Sequence, residues 1–440
     1  MLSFLHFSMK IPEKSPDLST IINSEPIKSS SDVVRFAKEY NDRYLHWDEL
    51  RYKEFGDSNR VDVWRMMKVM RIMSYRRVRI GNLEMSYSLL DDYIQRTIHE
   101  IDSRIASGFL TSSGIDDKRR IMLSVSSMME ESIASSQLEG ASTTTKLAKK
   151  ILRSNLQPKD RSQRMILNNY RAMQLIKGRL DEPLTPDLIM DIHRVVTEGL
   201  MDDPATSGRF REDDSIAIRD AYEDITYHVP VDHNMIAGMI DELCEYVNDE
   251  SEFVHPVIKG IILHYTLAYI HPFLDGNGRV SRALFYWFCL KNGYSMVEYL
   301  SISKVIKKHR QGYDMAYLLS ETDDEDVTYF IRYNLKMISE SIDVFDGYLK
   351  RKMKEQEDLM NDLKGRGLTY RQSQILKDMM RSGEPVSQYE LSTKYQITVS
   401  TIRRDLLILM EMGLVKASGK DGHRQLYVYS PGTETLHNSS

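Results

Sequence analysis

Cysteine is nearly absent from this 440-residue chain, occurring only at Cys244 and Cys289. Both lie in apolar, helix-like runs without metal-ligand spacing, which excludes a disulfide framework or structural zinc site and fits a reducing compartment, the cytoplasm. An excess of positive charge is also missing. With 59 Lys and Arg against 64 Asp and Glu, the formal net charge is −5, so the surface as a whole is not built for nucleic acid or anionic membrane, although one basic module inside it is compatible with that balance. No apolar run approaches the roughly 20 residues of a membrane span; the richest, 261–270, is interrupted by His264. Met1–Lys10 contains Leu2, Phe4, Leu5 and Phe7, but His6 and Lys10 break it and no basic segment precedes it, so it does not read as a secretory signal. With 41% hydrophobic and 28% charged residues, the chain reads as a soluble globular protein, and its length suggests about three domains.

Periodicity divides the chain. Residues 1–30 read as a flexible leader rich in Ser, Pro and Lys. Residues 31–160 read as a helical N-terminal domain: Asp32 caps Val33–Leu45, and Val61–Val78, Met85–Ile105 and Lys118–Glu139 follow with apolar residues three and four apart. Residues 161–349 continue the helical period through Arg161–Leu180, Pro186–Leu200 (capped by Thr185), Asn234–Asn248 and Pro256–Ile270. One hairpin interrupts them, Ser215–Ile218 and Ile225–Val231 around a turn at Arg219-Asp220, with Pro230 confining the second run to a sheet edge. Residues 350–367 read as a charged linker helix, 368–430 as a smaller domain and 431–440 as a polar tail.

The chemistry concentrates in His271-Pro272-Phe273-Leu274-Asp275-Gly276-Asn277-Gly278-Arg279-Val280-Ser281-Arg282. A buried helix ends at His271, and a loop with two glycines leads into a helix starting near Arg279. Gly276 and Gly278 let backbone N–H groups converge at that helix N-terminus, where unpaired donors and the dipole favour an anion. Arg279 and Arg282, three apart, share a face and offer fork-shaped donors to more than one phosphate. Asp275 would repel bare phosphate, so a divalent cation, Mg²⁺, is expected between them. His271 titrates near neutrality and is the general base available within the segment. These features together imply transfer of part of a nucleotide.

The twelve residues resemble the Fic family motif, His-Pro-Phe-x-(Asp/Glu)-Gly-Asn-Gly-Arg-x-x-Arg, and match every defined position. The resemblance spans roughly residues 135–337. It implies a helical Fic core and an AMP transferase using Mg²⁺-ATP: His271 as the base for a target Ser, Thr or Tyr hydroxyl, Asp275 on the metal, Gly276, Asn277 and Gly278 on the α- and β-phosphates, Arg279 also on phosphate, and Arg282 at the γ-phosphate. Gly276 and Gly278 match the AMP-transferring members rather than the phosphate-transferring Doc branch. Gly208-Arg209-Phe210-Arg211 resembles the element upstream of the flap. Ile225, Thr226, Tyr227, His228 and Val229 resemble the flap that positions a target by strand addition.

Ser135-Ser136-Gln137-Leu138-Glu139-Gly140 closes the helix 118–140 with Gly140 as its cap. Ser135 and Glu139 share a face, and a glutamate in the last turn opposes the helix dipole by about 0.3–1 kcal/mol unless a cation compensates. The six residues resemble the Fic inhibitory pattern (Ser/Thr)-x-x-x-Glu-(Gly/Asn) in its N-terminal-side placement, which implies that Glu139 pairs with Arg282 and blocks the γ-phosphate. Some relatives use this glutamate to remove AMP from targets.

In the smaller domain, Thr369–Arg381, a helix capped by Ser387, and a helix opened by Thr398 and stopped by Gly413 precede a hairpin made of Leu414–Ala417 and Gln425–Tyr429. Between residues 368 and 430 nine Lys and Arg face six Asp and Glu, a basic excess inside an acidic chain. The module resembles the winged helix-turn-helix of bacterial regulators. Thr398, Ser400, Thr401 and Arg403 are expected at the major groove of DNA, with Arg404, Lys420 and Arg424 near phosphates.

The expected fold is therefore mainly α: a Fic-type helical core with a small hairpin flap, a helical N-terminal domain and a C-terminal winged helix. The expected function is a self-inhibited protein adenylyltransferase acting on another protein or on itself, with ATP and Mg²⁺, DNA as a partner of the C-terminal domain, and no membrane. The alternatives are a DNA-binding regulator whose core senses nucleotide and a mainly de-AMPylating enzyme.

Overall fold

The computed structural model describes residues 3–5, 9–17, 30–106, 117–154, 156–220, 224–365, 367–421 and 424–430. Its elements are β1 (Ser3–Leu5), α1 (Ser31–Asp42), α2 (Trp47–Leu50), α3 (Arg60–Ile72), β2 (Tyr75–Ile80), β3 (Leu83–Ser88), α4 (Asp92–Ala106), α5 (Asp117–Leu138), α6 (Thr145–Arg153), α7 (Arg161–Lys177), α8 (Pro186–Thr197), β4 (Ile218–Asp220), β5 (Thr226–His228), α9 (His233–Asn248), α10 (Pro256–Ile270), α11 (Asn277–Lys291), α12 (Ile302–Lys308), α13 (Arg310–Glu321) and α14 (Thr328–Gly365). The rest are α15 (Tyr370–Ser382), β6 (Val386–Ser387), α16 (Gln388–Tyr395), α17 (Val399–Glu411), β7 (Val415–Asp421) and β8 (Arg424–Tyr429). The chain is mainly α and forms two compact units, Met1–Phe345 and Asp346–Ser440. Among the described residues no helix is long and apolar enough to cross a membrane.

The first unit is organised around α10 and α11. Both are apolar on nearly every face, α10 burying Ile261, Ile262, Leu263 and Leu267 and α11 burying Val280, Leu284, Trp287 and Cys289. Helices without a polar face belong in the centre of a domain, and each such aliphatic side chain contributes about 1.5–3 kcal/mol on burial. Helix α5 packs on α7, and Met129, Ile133, Ala148, Leu152, Met165 and Ile166 form the core they share with α6. The N-terminal helices close over Trp47, Trp64 and Met67 and are tied to the segment before α14 by a buried set of charges, in which Lys68 donates to Asp323 at 2.9 Å and the Tyr44 hydroxyl to Asp326 at 2.7 Å.

The structure departs from the sequence expectations in three places. The segments 61–78 and 85–105 are not continuous helices: α3 ends at Ile72, and β2 and β3 form an antiparallel hairpin, Tyr75 opposite Ser88, before α4 begins at Asp92. The N-terminal region is thus not purely helical and the flap is not a lone hairpin. Ser30 rather than Asp32 caps α1, accepting from the Val33 N–H. Part of the leader is packed: Met9 is buried, the Ser15 N–H donates to Thr322 O at 2.8 Å, and the Trp47 indole donates to Glu13 at 2.9 Å. Leader residues 1–2, 6–8 and 18–29 and the 431–440 tail lie outside the described residues.

The second unit has its own core of Ile375, Leu376, Leu391, Ile402, Leu406, Leu409 and Val415. Thr369, Ser387 and Thr398 each cap a helix by accepting a backbone N–H from its first turn. Gln396, at φ 55°, turns the chain between α16 and α17. Strands β6, β8 and β7 make a small antiparallel sheet, the wing.

Candidate active site

Helix α10 ends on His271, which adopts the left-handed region, φ 51° and ψ 57°, with its N–H on Leu267 O at 3.0 Å. A non-glycine residue there costs of order 1–3 kcal/mol and persists only where its surroundings enforce it. Arg211 does so: its Nε donates to His271 O at 3.1 Å, its backbone N–H donates to Pro272 O at 2.9 Å, and its Nη2 donates to Val231 O at the exit of the flap. The buried His271 ring contacts Ala268 O through Nδ1 at 3.3 Å. A carbonyl only accepts, so this contact assigns the proton to Nδ1 and leaves Nε2 as an acceptor. Burial, aided by the nearby His228 charge, pushes the His271 pKa down to about 4, so the ring is neutral at physiological pH.

The loop that follows is held by its own side chains. Asn277 ties both backbone groups of Phe273, accepting its N–H at 2.9 Å and donating to its carbonyl at 2.7 Å. Gly276, at φ 92°, is the N-cap of α11 without a side-chain cap bond, and a Cβ there would stand 3.1 Å from Thr197 Cγ2. Helix α11 begins at Asn277, two residues before the expected start. The N–H groups of Asn277, Gly278 and Arg279 therefore open a helix, where no intrahelical acceptor exists and the dipole is positive. An anionic oxygen already stands beside them: a Cβ added to Gly278 would lie 2.2 Å from Glu139 Oε1.

The two motif arginines do not point to a common ligand space. Fully buried, Arg279 turns toward the end of α8, where Nη1 donates to Val196 O at 3.2 Å, and Nη2 reaches Asp275 Oδ1 at 3.3 Å. Arg282 turns toward α5: Nε donates to Ser135 Oγ at 2.9 Å, while Nη2 donates to Ser135 O at 3.0 Å and Glu139 Oε1 at 2.9 Å. The shared face expected from their spacing is divided because each guanidinium follows a different neighbouring helix. The Asp275 carboxylate also accepts from the Gly276 N–H at 2.7 Å and from Arg161 Nη2 at 3.1 Å. Burial pushes its pKa up, but Arg279, that N–H and Arg161 outweigh the effect and hold it below the usual carboxylate range.

The C-terminal end of α5 lies against the first turns of α11, Glu139 standing beside Gly278 and pairing with Arg282. Gly140, at φ 91°, terminates α5 with the Ala141 N–H on Ser136 O at 3.0 Å. Burial disfavours the Glu139 charge, yet Arg282, then Arg310 and Arg279, draw its pKa below the ordinary value. Sequence reasoning missed Arg310 and Lys307, which hold this end from the far side: Arg310 Nη1 donates to Leu138 O at 2.5 Å and Lys307 Nζ to Gln137 Oε1 at 2.7 Å. Their partners lie some 170 residues away, and nothing in the local sequence signals them.

The flap differs from its sequence outline. Arg219 and Asp220, expected as the turn, belong to β4, and 221–223 lie outside the described residues. The sheet order is β1-β4-β5, with β1 parallel to β4, so among the described residues one edge of β5 has no strand partner. Of the five flap residues, Ile225 and Thr226 are half-buried, Tyr227 and His228 are buried, and Val229 is 71% exposed. The Tyr227 hydroxyl accepts the Met9 N–H at 2.7 Å and donates to Asp220 at 2.8 Å. Both His228 ring nitrogens face acceptors, Glu321 at 2.9 Å and Tyr269 O at 2.8 Å. These side chains fasten the hairpin to its surroundings, and of the five residues Val229 alone is exposed.

In the C-terminal unit, Ser400, Arg403 and Arg404 on α17 are exposed. Thr398, which caps α17, accepts the Thr401 N–H, so its hydroxyl is engaged in local structure. Thr401 is half-buried.

Two segments of the chain match known families. Residues 183–289 match the Fic/DOC family and residues 371–424 an HTH domain. Over 183 residues, 41% of this chain, the protein adenylyltransferase Fic of Drosophila willistoni is 28% identical and that of Drosophila grimshawi 30%. Those matches cover 33% and 34% of the two proteins, so the chain spans about a third of the length of the curated relatives it matches. A Fic family protein from Desulfovibrio desulfuricans G20 shares the fold, with a TM-score of 0.51 at 18% identity, covering 77% of this chain and 96% of that one. Fic-1 from C. elegans has a TM-score of 0.50 at 18% identity, covering 72% and 84%. Residues 183–289 thus form a Fic/DOC family domain, followed in the same chain by a helix-turn-helix domain.

Proposed function

We propose that the chain is a self-inhibited protein adenylyltransferase that moves AMP from ATP to a Ser, Thr or Tyr hydroxyl of another protein or of itself. A hydroxyl held along the open edge of β5 gives its proton to His271 Nε2 as its oxygen bonds to the α-phosphorus. The bond from that phosphorus to the oxygen bridging to the β-phosphate breaks, pyrophosphate leaves, and AMP remains esterified to the target. The first N–H groups of α11 and the helix dipole stabilise the charge that develops on the phosphates.

The residues fit Mg²⁺. Asp275 supplies one carboxylate, held ionised and partly exposed beside an anion site, and Mg²⁺ carried by phosphates keeps most of its water and phosphate ligands. Asp275 would hold the ion, with half-exposed Arg161 yielding its contact. The bound ion would supply charge neutralisation between the phosphates.

The single observation that carries the reading is the three-point capture of Arg282 by Ser135 and Glu139, with the Glu139 carboxylate beside Gly278. On this reading Arg282 would otherwise meet the γ-phosphate, and Glu139 both occupies it and repels the incoming anion. A charge-assisted hydrogen bond of this kind contributes about 1.5–3 kcal/mol, so Glu139→Gly should raise self-labelling from α-labelled ATP and Mg²⁺ by about 10- to 100-fold. Adding Arg282→Ala should forfeit most of the gain, because it removes the brake's partner and the phosphate clamp together. Labelling that stays at the wild-type level in Glu139→Gly across ATP concentrations would show that the end of α5 is merely structural.

A second activity is supported by a different observation. The HTH match at residues 371–424 coincides with a helix, α17, whose Ser400, Arg403 and Arg404 are exposed. This favours duplex DNA as the partner of the C-terminal unit.

A further inference from the structure

His193 on α8 was given no role by the sequence, and it is neither the expected base nor a phosphate ligand. Its surroundings are nevertheless specific. Nδ1 lies 2.9 Å from the Gly208 backbone N–H, and Nε2 lies 2.9 Å from Asp275 O. A backbone N–H can only donate and a carbonyl only accept, so these partners assign one tautomer: Nδ1 bare, Nε2 protonated. The ring stacks on Phe273, centroids 3.7 Å apart and planes 3° from parallel. Gly208 is itself constrained, because at φ 76° a Cβ there would meet Arg194 Nε at 2.9 Å.

The consequence concerns the peptide between Asp275 and Gly276. A trans peptide carries its C=O and N–H on opposite sides. Fixing Asp275 O on His193 therefore turns the Gly276 N–H away from α8, where it meets Asp275 Oδ1 at 2.7 Å. Gly276 tolerates either sign of φ, so this peptide is a bond in the loop that can flip at little steric cost. A flip would reverse the N–H, take one of its three hydrogen bonds from the Asp275 carboxylate and alter the entry into α11. Thr197 and Val196, which also line the floor beneath Gly276, contribute no hydrogen bond to Asp275 O.

Resting on the adenylyl-transfer reading, we propose that His193 is a positioning residue: through its Nε2–H it locks the Asp275–Gly276 peptide in the orientation that presents the Asp275 carboxylate and the α11 N-terminus to the nucleotide phosphates. It touches neither substrate nor the reacting atoms. One donor partner and one acceptor partner, both backbone groups, hold the ring as this single neutral tautomer.

Two amide substitutions separate the ring's two bonds. In His193→Gln the amide N–H replaces Nε2–H and the bond to Asp275 O is retained while the acceptor for Gly208 is lost. In His193→Asn the amide oxygen replaces Nδ1 and the opposite happens. Each leaves one buried backbone group without its partner, so a purely structural role predicts similar losses from both. The measurements are melting temperature, the ATP·Mg²⁺-induced shift in melting temperature, and kcat and KM for self-labelling, all in the full chain carrying Glu139→Gly. The proposal requires Gln to stay within about threefold of the parent and Asn to lose about tenfold or more in kcat/KM, with KM for ATP raised and the ligand-induced shift reduced. Equal losses in Gln and Asn that follow their melting temperatures would overturn it. If the Glu139→Gly parent shows an ATP-induced shift but no labelling, the transfer reading fails. The His193 proposal is then decided by the shift alone: smaller in Asn than in Gln supports it, and equal in the two overturns it.

Discussion

The loop from His271 to Arg282 and the exposed side of α17 both carry two arginines, and they use them in opposite ways. In the loop, Arg279 and Arg282 are buried and committed to Val196, Asp275, Ser135 and Glu139 before any ligand arrives. On α17, Arg403 and Arg404 are exposed, beside a Leu407 that is 50% exposed. Buried groups act through fixed geometry in a low dielectric, where each donor and acceptor is expensive to misplace. Exposed ones act as mobile charges whose contribution is graded and screened. Substitutions in the loop should therefore have large effects that split cleanly between binding and chemistry, and those on α17 small effects that add.

The largest effect tests the loop side of that contrast. His271→Ala should lower transfer by about 10²- to 10⁴-fold, the usual contribution of a general base. Because the Arg211 and Leu267 contacts that shape the loop are made by the His271 backbone, and only the ring's contact with Ala268 O is lost, the ATP-induced shift in melting temperature should remain. Transfer at the wild-type rate would remove His271 from the mechanism, and a lost shift would show that the ring shapes the loop rather than acting as base.

A second effect separates the two units by pH. His46, His193 and His271 are held near a pKa of about 4, and His264 near about 3, all chiefly by burial. Their folded values lie below the unfolded value of 6.5, so between the two the unfolded chain binds more protons. The stability they contribute is fully present above about pH 6.5 and is lost as pH falls toward 4. A shift of that size corresponds to about 3 kcal/mol per group, against a total margin of roughly 5–15 kcal/mol. His228 acts oppositely: despite burial, Glu321 raises its pKa, so its contribution is present at low pH and lost as pH rises through its folded value. All five lie in the first unit. In the second, the described titrating carboxylate Glu390 is held below its ordinary 4.5 by the Ser387 hydrogen bonds, so its contribution is lost only at lower pH. Calorimetry between pH 7 and 4 should show the first unit's transition falling well before the second's. Parallel movement of the two would contradict the burial argument.

The same contrast explains what the sequence revealed. The loop was legible because its chemistry is packed into twelve consecutive residues whose glycines, Asn277 and arginines have few other uses in combination. Helix boundaries at Thr185, Ser387 and Thr398 were legible because a cap acts on N–H groups only two or three residues away. The β2–β3 hairpin was not, because Val61–Val78 satisfies a helical period almost to its end. What decides the matter is remote: the turn at Gly81 packs on Met239, and its N–H donates to Glu242 at 2.6 Å. His193 was silent for the same reason, since its partner Asp275 is 82 positions away. The leader misled through composition alone, which does not show that Glu13 receives the Trp47 indole and Arg60.

The smallest expected effect belongs to α17. If Arg403 and Arg404 contact phosphates, duplex DNA affinity should fall with rising salt, and each arginine should contribute about 0.9 to the slope of log affinity against log salt. Arg403→Ala and Arg404→Ala together should flatten that slope by about 2 and weaken binding at every sequence tested, leaving self-labelling unchanged. Ser400→Ala should leave the slope intact and alter only the ranking of sequences, because a hydroxyl at a base edge carries no counterion release. Fluorescence anisotropy on a pool of duplexes at several salt concentrations measures all three. A salt slope unchanged in the double arginine variant would place the contact elsewhere on the module. Absence of binding at low salt to the whole pool would assign α17 to protein contacts, where exposed Leu407 rather than the arginines would carry the affinity.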